Sequence, residues 1–273
     1  MKNQKNSNGK DDVRTEEVNA LKKQNRLVVF ADKDINKEVA KKLANRLNAE
    51  LKQNWSDIKK ADLVLRLDAD GIALVSDKMV LRGDFVQMLP RIKHCNLQKE
   101  LLIRASKMKG TSSNLTAIDA TAGLGEDALL LAAAGFSVRL YEYNTVIALL
   151  LQDALNRAAI VPELTDIVGR MKLFEENSIF SLQNLVAQPD LVLLDPMFPT
   201  RQKSALIKKK FQLLQQLECP CVDESALIQA VIAAKPRKVV IKRPLNASYL
   251  AGYKPDYSLK SKVIRFDCLV LPR

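Results

Sequence analysis

Residues 115–142 read LTAIDATAGLGEDALLLAAAGFSVRLYE. Leu115 to Asp119 is a short apolar run closed by an acid, and Gly123 and Gly125 punctuate the turn that follows. A helical stretch over 125–134 then leads into a second apolar run, Ser137 to Glu142, also closed by an acid. Strand, glycine turn, helix and strand in this order predict a βαβ unit with parallel strands. Sheets of this kind bind ligands outside the carboxyl ends of their strands. The glycine turn and the two strand-terminal acids are therefore the residues to question first.

Two glycines two apart allow a tight turn with backbone N–H groups close to a ligand. The dinucleotide fingerprint G-x-G-x-x-G would place a third glycine at 128, where alanine stands. Asp119, four residues before Gly123, discriminates more sharply. A carboxylate beside a phosphate cradle repels a pyrophosphate but suits a cation. Glu142, 19 residues after Gly123, falls where an acid accepts hydrogen bonds from ribose hydroxyls in nucleotide-binding folds. S-adenosylmethionine carries a sulfonium, an ammonium and a ribose, so this pattern points to a methyltransferase dependent on it. NAD(P) binding and an incidental helix-start turn are the competing readings.

The alternation continues to the C-terminus. Strands are predicted at Met171–Phe174, Asp190–Asp195, Lys238–Arg243 and Val263–Leu271, with helices over 145–159, 203–217 and 223–234. The expected fold is α/β, a Rossmann-like class I methyltransferase sheet over 91–273. Upstream, residues 26–90 predict a small α+β subdomain. Leu27–Phe30 is a strand, and Val39, Leu43, Leu47 and Leu51 share one face of a helix over 37–51. Two alternating strands in ADLVLRLDADGIALVSD (61–77) join through Asp70–Gly71. Residues 1–25 are polar, without hydrophobic periodicity, and read as a flexible tail.

A second ligand-edge loop follows the fourth strand in DLVLLDPMFPTRQKSALIKKK (190–210). Proline fixes φ and removes an N–H, so Asp195-Pro196-Met197-Phe198-Pro199 is a stiff loop with exposed carbonyls. An amine attacking a methyl group needs acceptors for its hydrogens, so that its lone pair lies along the in-line axis. Asp195 and the Pro196 carbonyl can supply them, and Phe198 offers a ring for stacking a base.

The 273 residues carry a net charge of +12, and the cations are segregated. Residues 91–109 hold six cations to one acid, 201–211 five to none, and 235–273 ten to two. Segregation of this kind suits a polyanionic partner. Lys203, Lys208, Lys209, Lys210, Lys242 and Arg243 are the candidate phosphate contacts. No apolar run approaches the ~20 residues that span a bilayer, and the N-terminal residues lack the apolar core of a signal peptide, so a cytoplasmic protein with no membrane partner is expected. Four cysteines and one histidine, His94, are too few and too scattered for a disulfide framework or a zinc site, and no metal is expected.

The segments IDATAGLGEDALLLAAAGFSVRLYEYN (118–144), LDPMFPTRQKSALIKKK (194–210), VVIKRP (239–244) and IRFD (264–267), in that order, resemble the RsmJ family over roughly residues 91–270. These are bacterial enzymes that methylate the N2 amino group of a guanosine near the 3′ end of 16S rRNA. The amine-orienting loop has Met197 where other amino-group methyltransferases usually carry proline. The resemblance implies S-adenosylmethionine as cofactor and 16S rRNA or the small ribosomal subunit as partner. Cofactor contacts are implied at Glu126, Asp127, Tyr143, Asn177, Ser178 and Asp195. Action on another nucleic acid or protein amine is one competing reading, and a non-catalytic RNA-binding assembly protein is another.

Overall fold

The computed structural model describes residues 26–77, 79–108, 114–196, 213, 217 and 223–272. The chain forms two compact units, with a division between Arg82 and Gly83.

The first unit carries a five-stranded sheet in the order β2-β1-β3-β4-β5. Its strands are β1 (Leu27–Ala31), β2 (Glu50–Lys52), β3 (Leu63–Asp68), β4 (Gly71–Ser76) and β5 (Met79–Leu81). β1 lies parallel to both β2 and β3, whereas β3, β4 and β5 run antiparallel in succession. In the β3–β4 hairpin Asp68 faces Gly71, so the turn residues are Ala69 and Asp70, and Gly71 opens the next strand at φ 109°. Helix α1 (Lys37–Arg46) is shorter than the expected 37–51. Asn48 adopts φ 47°, its N–H bonds Asn45 O at 3.1 Å, and Ala49 N–H bonds Ala44 O at 2.9 Å. This Schellman-type stop satisfies the last carbonyls of the helix and releases Leu51 into β2. The buried face is Ala40, Leu43, Ala44 and Leu47, while Val39 is exposed.

In the second unit the predicted strands form as β6 (Thr116–Asp119), β7 (Ser137–Tyr141), β8 (Met171–Phe174), β9 (Leu191–Leu194), β10 (Lys238–Pro244) and β12 (Ile264–Val270). A further edge strand, β11 (Tyr257–Lys260), has only four residues, none of them fully buried, and gives no apolar run to read. The seven-stranded order is β11-β12-β10-β9-β6-β7-β8. β8, β7, β6, β9 and β10 are parallel neighbours, and β12 and β11 are antiparallel additions.

The helices of this unit are α2 (Leu89–Ile92), α3 (His94–Leu97), α4 (Leu101–Ser106), α5 (Glu126–Ala133), α6 (Thr145–Ala158), α7 (Pro162–Val168), α8 (Ser178–Gln183) and α9 (Glu224–Ala233). They cover both sheet faces. Leu191 and Leu193 of β9 enter a core with Leu102, Leu129, Leu151 and Leu164, whereas Val192 and Leu194 enter another with Leu182, Leu227, Ile228 and Val231. A strand buried on both faces must be apolar at every position, which accounts for the run Leu191–Leu194. Phe85 and Met88, just after the unit boundary, join the first of these cores. The predicted helix over 203–217 lies almost wholly outside the described residues.

The cations of 235–273 are less available to a partner than their number suggests. Lys238, Arg243 and Arg265 are buried. Lys238 Nζ donates to Ala105 O at 3.1 Å and to Tyr257 Oη at 3.0 Å, which ties the C-terminal end of α4 to the sheet. Arg265 holds Asp267 at 2.9 Å and donates to the carbonyls of Pro244 and Leu245.

Asn144 caps α6, its Oδ1 accepting from Val146 N–H at 3.0 Å and Ile147 N–H at 3.2 Å. Asn144→Ala leaves those buried donors unpaired, and a loss of about 0.5–2 kcal/mol in urea unfolding is expected.

Candidate active site

Moving out from β6, the order runs through β7 to β8 on one side and through β9 to β10 on the other. The carboxyl ends of β6 and β9 therefore flank the crevice where strand order reverses. Asp119 ends β6 opposite Leu193, and Ala120 N–H bonds Leu193 O at 3.1 Å. Asp195 follows directly from β9, so the two predicted acids sit at one edge on adjacent strands.

The glycine turn follows β6 and is bonded to the end of β7, where Ala122 N–H donates to Tyr141 O at 3.1 Å. Gly123 and Gly125 have φ of 53° and 75°, a left-handed backbone that side chains disfavour. A Cβ on Gly125 would also meet Leu151 Cδ1 at 2.7 Å, so a larger residue there would both strain the backbone and displace the Leu151 side chain. Around Gly123 nothing lies within 4 Å of such a Cβ; its N–H donates to Glu142 Oε2 at 3.0 Å. Glu142 Oε1 accepts from Asn144 N–H at 2.8 Å. The acid after β7 thus holds the glycine turn in place.

Burial dominates the electrostatics. Asp119 is 2% exposed and Glu142 4%. Loss of water pushes Asp119 up to about 8, against the opposing Thr121 N–H, with Asp127 and Asp195 raising it further. Burial likewise raises Glu142 to about 7, opposed by the N–H groups of Asn144, Gly123 and Tyr143. Two acids short of compensating charge, next to an open turn of backbone donors, fit a ligand with positive charge and hydroxyl groups.

Thr121, outside the predicted set, and Lys242, expected there only as a phosphate contact, join the two strand ends. Thr121 Oγ1 accepts from Asp195 N–H at 2.6 Å, and Thr121 N–H donates to Asp119 Oδ1 at 3.1 Å. From β10, Lys242 Nζ reaches Asp127 Oδ2 at 2.6 Å and Asp195 Oδ2 at 2.8 Å. Burial alone would lower the Lys242 pKa, but the two carboxylates outweigh it and raise it above its ordinary value. Lys242 is therefore not the solvated phosphate contact that the sequence suggested. Nor is Arg243, 2% exposed, whose guanidinium donates to Ser248 O at 2.8 and 3.0 Å and to Glu224 Oε1 at 3.2 Å. Strand register places Ile241 opposite Leu194, so Lys242 follows at the same edge as Asp195. The chain alone does not disclose that register.

The remaining predicted residues distribute as follows. Glu126 and Asp127 open α5 directly behind Gly125. Tyr143 is exposed beside buried Glu142. Asn177 caps α8 through Ile179 N–H at 3.0 Å, and Ser178 is buried at its first turn. Pro196 is buried. Phe198, Lys203, Lys208, Lys209 and Lys210 lie outside the described residues. Among the described residues no cluster of His, Cys, Asp and Glu is arranged to hold a metal, and no helix is long and apolar enough to cross a membrane.

Fold and site together define a class I methyltransferase that uses S-adenosylmethionine. The model of the family described as putative SAM-dependent methyltransferase matches residues 45–271. The ribosomal RNA small subunit methyltransferase J of Nitrosococcus oceani is 39% identical over 84% of this chain and 92% of its own length. That of Thioalkalivibrio sulfidiphilus is 37% identical over 88% and 96%. A solved SAM-dependent methyltransferase of Neisseria gonorrhoeae superposes with a TM-score of 0.69 at 27% identity, covering 89% of this chain and 95% of that one. The chain belongs to the ribosomal RNA small subunit methyltransferase J family.

The buried acids predict linked proton release. From the ordinary carboxylate range up to about 8, the folded ligand-free protein holds more protons on Asp119 and Glu142 than the unfolded chain does. Their contribution to stability therefore falls as pH rises through that window. A cationic ligand favours the ionised forms, so S-adenosylmethionine affinity should rise over the same window. Calorimetry at pH 7 in buffers of different ionisation heat should detect proton release, and Asp119→Asn should reduce it. Gly125→Ala should weaken cofactor binding and cost roughly 1–3 kcal/mol of stability, read by thermal melting.

Proposed function

We propose that this chain methylates the N2 amino group of a guanosine near the 3′ end of 16S rRNA. The carrying observation is that Asp195, at the end of β9, is joined through Thr121 to buried Asp119 at the end of the adjacent β6, which supports a reading in which the loop after β9 works beside the cofactor. The relatives are named as small-subunit ribosomal RNA methyltransferases, and the DPMFP loop carries the acceptors that an amine requires.

In this reading Asp119 and Glu142, with the turn at Gly123 and Gly125, hold the cofactor's cationic groups and ribose hydroxyls. Glu126, Asp127, Tyr143, Asn177 and Ser178 line the same edge. When bound, S-adenosylmethionine supplies a methyl group that leaves sulfur as the new N–C bond forms. Asp195 and the Pro196 carbonyl accept the two amine hydrogens, which turns the nitrogen lone pair toward the methyl. Phe198 stacks on the base and limits its rotation. After transfer the extra amine proton passes toward the Asp195 carboxylate or water, with no metal required. Lys203, Lys208, Lys209 and Lys210 follow the loop closely in sequence and supply the phosphate contacts.

The test is methyl transfer from labelled S-adenosylmethionine to unmodified 30S subunits and to free 16S rRNA, with the product nucleoside identified by mass spectrometry. N2-methylguanosine at one site is expected. Modified adenine or protein glutamine would redirect the substrate assignment, and failure to bind S-adenosylmethionine would favour an assembly protein. Asp195→Ala should lower turnover roughly 100-fold or more with an unchanged circular dichroism spectrum. Replacing Lys208, Lys209 and Lys210 by Gln should reduce the slope of log binding constant against log salt by roughly 2.

A further inference from the structure

The geometry points to Lys242 as a positioning residue, which fixes the Asp195 carboxylate as an acceptor for the substrate amine by bridging it to Asp127. The inference rests on the amine-orienting role of Asp195 argued above. Lys242 leaves β10 one residue beyond Ile241, whose partner is Leu194, so its side chain emerges beside the loop after β9. Its ammonium sits between Asp127 Oδ2 at 2.6 Å and Asp195 Oδ2 at 2.8 Å. The three side chains are unequally open: 18% for Asp127, 27% for Lys242 and 40% for Asp195. The bridge is thus anchored at the sheltered end on α5 and presents Asp195 at the open end. Thr121 holds the backbone of the same residue through Asp195 N–H. Together these bonds restrain main chain and carboxylate from opposite sides.

The charges facing Asp195 show why the cation is needed. Lys242 approaches from β10 and Asp127 from α5, and Asp119 stands at the end of β6. Without Lys242, Asp195 and Asp127 would face each other as like charges in a site that also holds Asp119. Such a group takes up a proton to relieve the repulsion. A protonated Asp195 would donate its hydrogen toward the amine nitrogen, engaging the lone pair that must attack the methyl. The Lys242 pKa is raised by its two partners, so the ammonium stays charged throughout the working range. The bridge also gives Asp127, next to the glycine turn, a mechanical link to the substrate loop.

Two measurements on the full chain test this. The first is a steady-state comparison of Lys242→Met and Lys242→Gln with the wild type. A positioning role lowers kcat at least tenfold while KM for RNA and the salt slope stay near wild type. A higher KM and a smaller salt slope with kcat retained would make Lys242 a phosphate contact and overturn the inference. The second follows the Asp195 carboxyl carbon by NMR in protein labelled at aspartate, assigned with Asp195→Asn. Its titration midpoint, already raised by burial in the wild type with Lys242 opposing, should rise by about 1–3 pH units more in Lys242→Met and stay at the wild-type position in Lys242→Arg, which keeps the charge. An unmoved midpoint in a folded variant overturns the inference; Lys242→Gln serves if the Met variant does not fold. The NMR result does not depend on the RNA substrate. If the wild type fails to methylate rRNA while the midpoint moves, the substrate assignment falls and the Lys242–Asp195 coupling stands.

Discussion

The constraint on which this site depends is the burial of carboxylates at strand ends. Asp119 and Glu142 are almost entirely removed from water, and an ionised carboxylate in such a place is costly without a partner. The protein meets part of that cost with backbone donors: Thr121 N–H for Asp119, and Gly123 N–H and Asn144 N–H for Glu142. The rest is left unmet, and both acids retain protons far more readily than free carboxylates. A cationic ligand at this edge would complete what the backbone begins. The same bonds also shape the turn, because the one that satisfies Glu142 fixes Gly123. Binding electrostatics and loop conformation are therefore not separable here.

The sheet makes this burial possible. β9 is covered on both faces, with successive residues entering opposite cores, and a strand so enclosed cannot move its terminal residue without disturbing packing on two sides. Asp119 and Asp195 inherit the rigidity of β6 and β9. Short polar links refine the placement. Thr121 joins the two strand ends, and Lys242 brings in α5 through Asp127. Side chains held by backbone and ion-pair contacts at the end of a packed sheet provide the preorganisation that in-line methyl transfer needs.

Charge serves two purposes in this chain. Buried cations organise the fold: Lys238 receives the end of α4, Arg243 joins Ser248 and Glu224, and Arg265 pairs with Asp267 while lying 5.2 Å from the centroid of the Tyr249 ring. Arg91, in the basic stretch after residue 90, is paired with Glu100 through two bonds of 2.8 and 2.9 Å. The net charge of +12 therefore overstates the cation supply open to a polyanion. Counting lysines and arginines along the chain does not separate the two uses.

The sequence by itself determined the parallel α/β sheet, the glycine turn, and the acids Asp119, Glu142 and Asp195. Each depends on local chemistry: a fully apolar run for a doubly covered strand, glycine for a left-handed backbone, and an acid where a strand meets the ligand edge. It also carried the family resemblance. The tertiary structure alone decided the early stop of α1, the edge strand β11, the bonding of Thr121 to both strand ends, and the uses of Lys242 and Arg243. A lysine reads as solvated until strand register shows which carboxylates face it. Asp127 and Lys242 are 115 residues apart, and their 2.6 Å contact exists only because the strand order places β10 beside β9. Local pattern specifies elements and their ends, whereas contacts between distant side chains depend on how those elements are laid against one another.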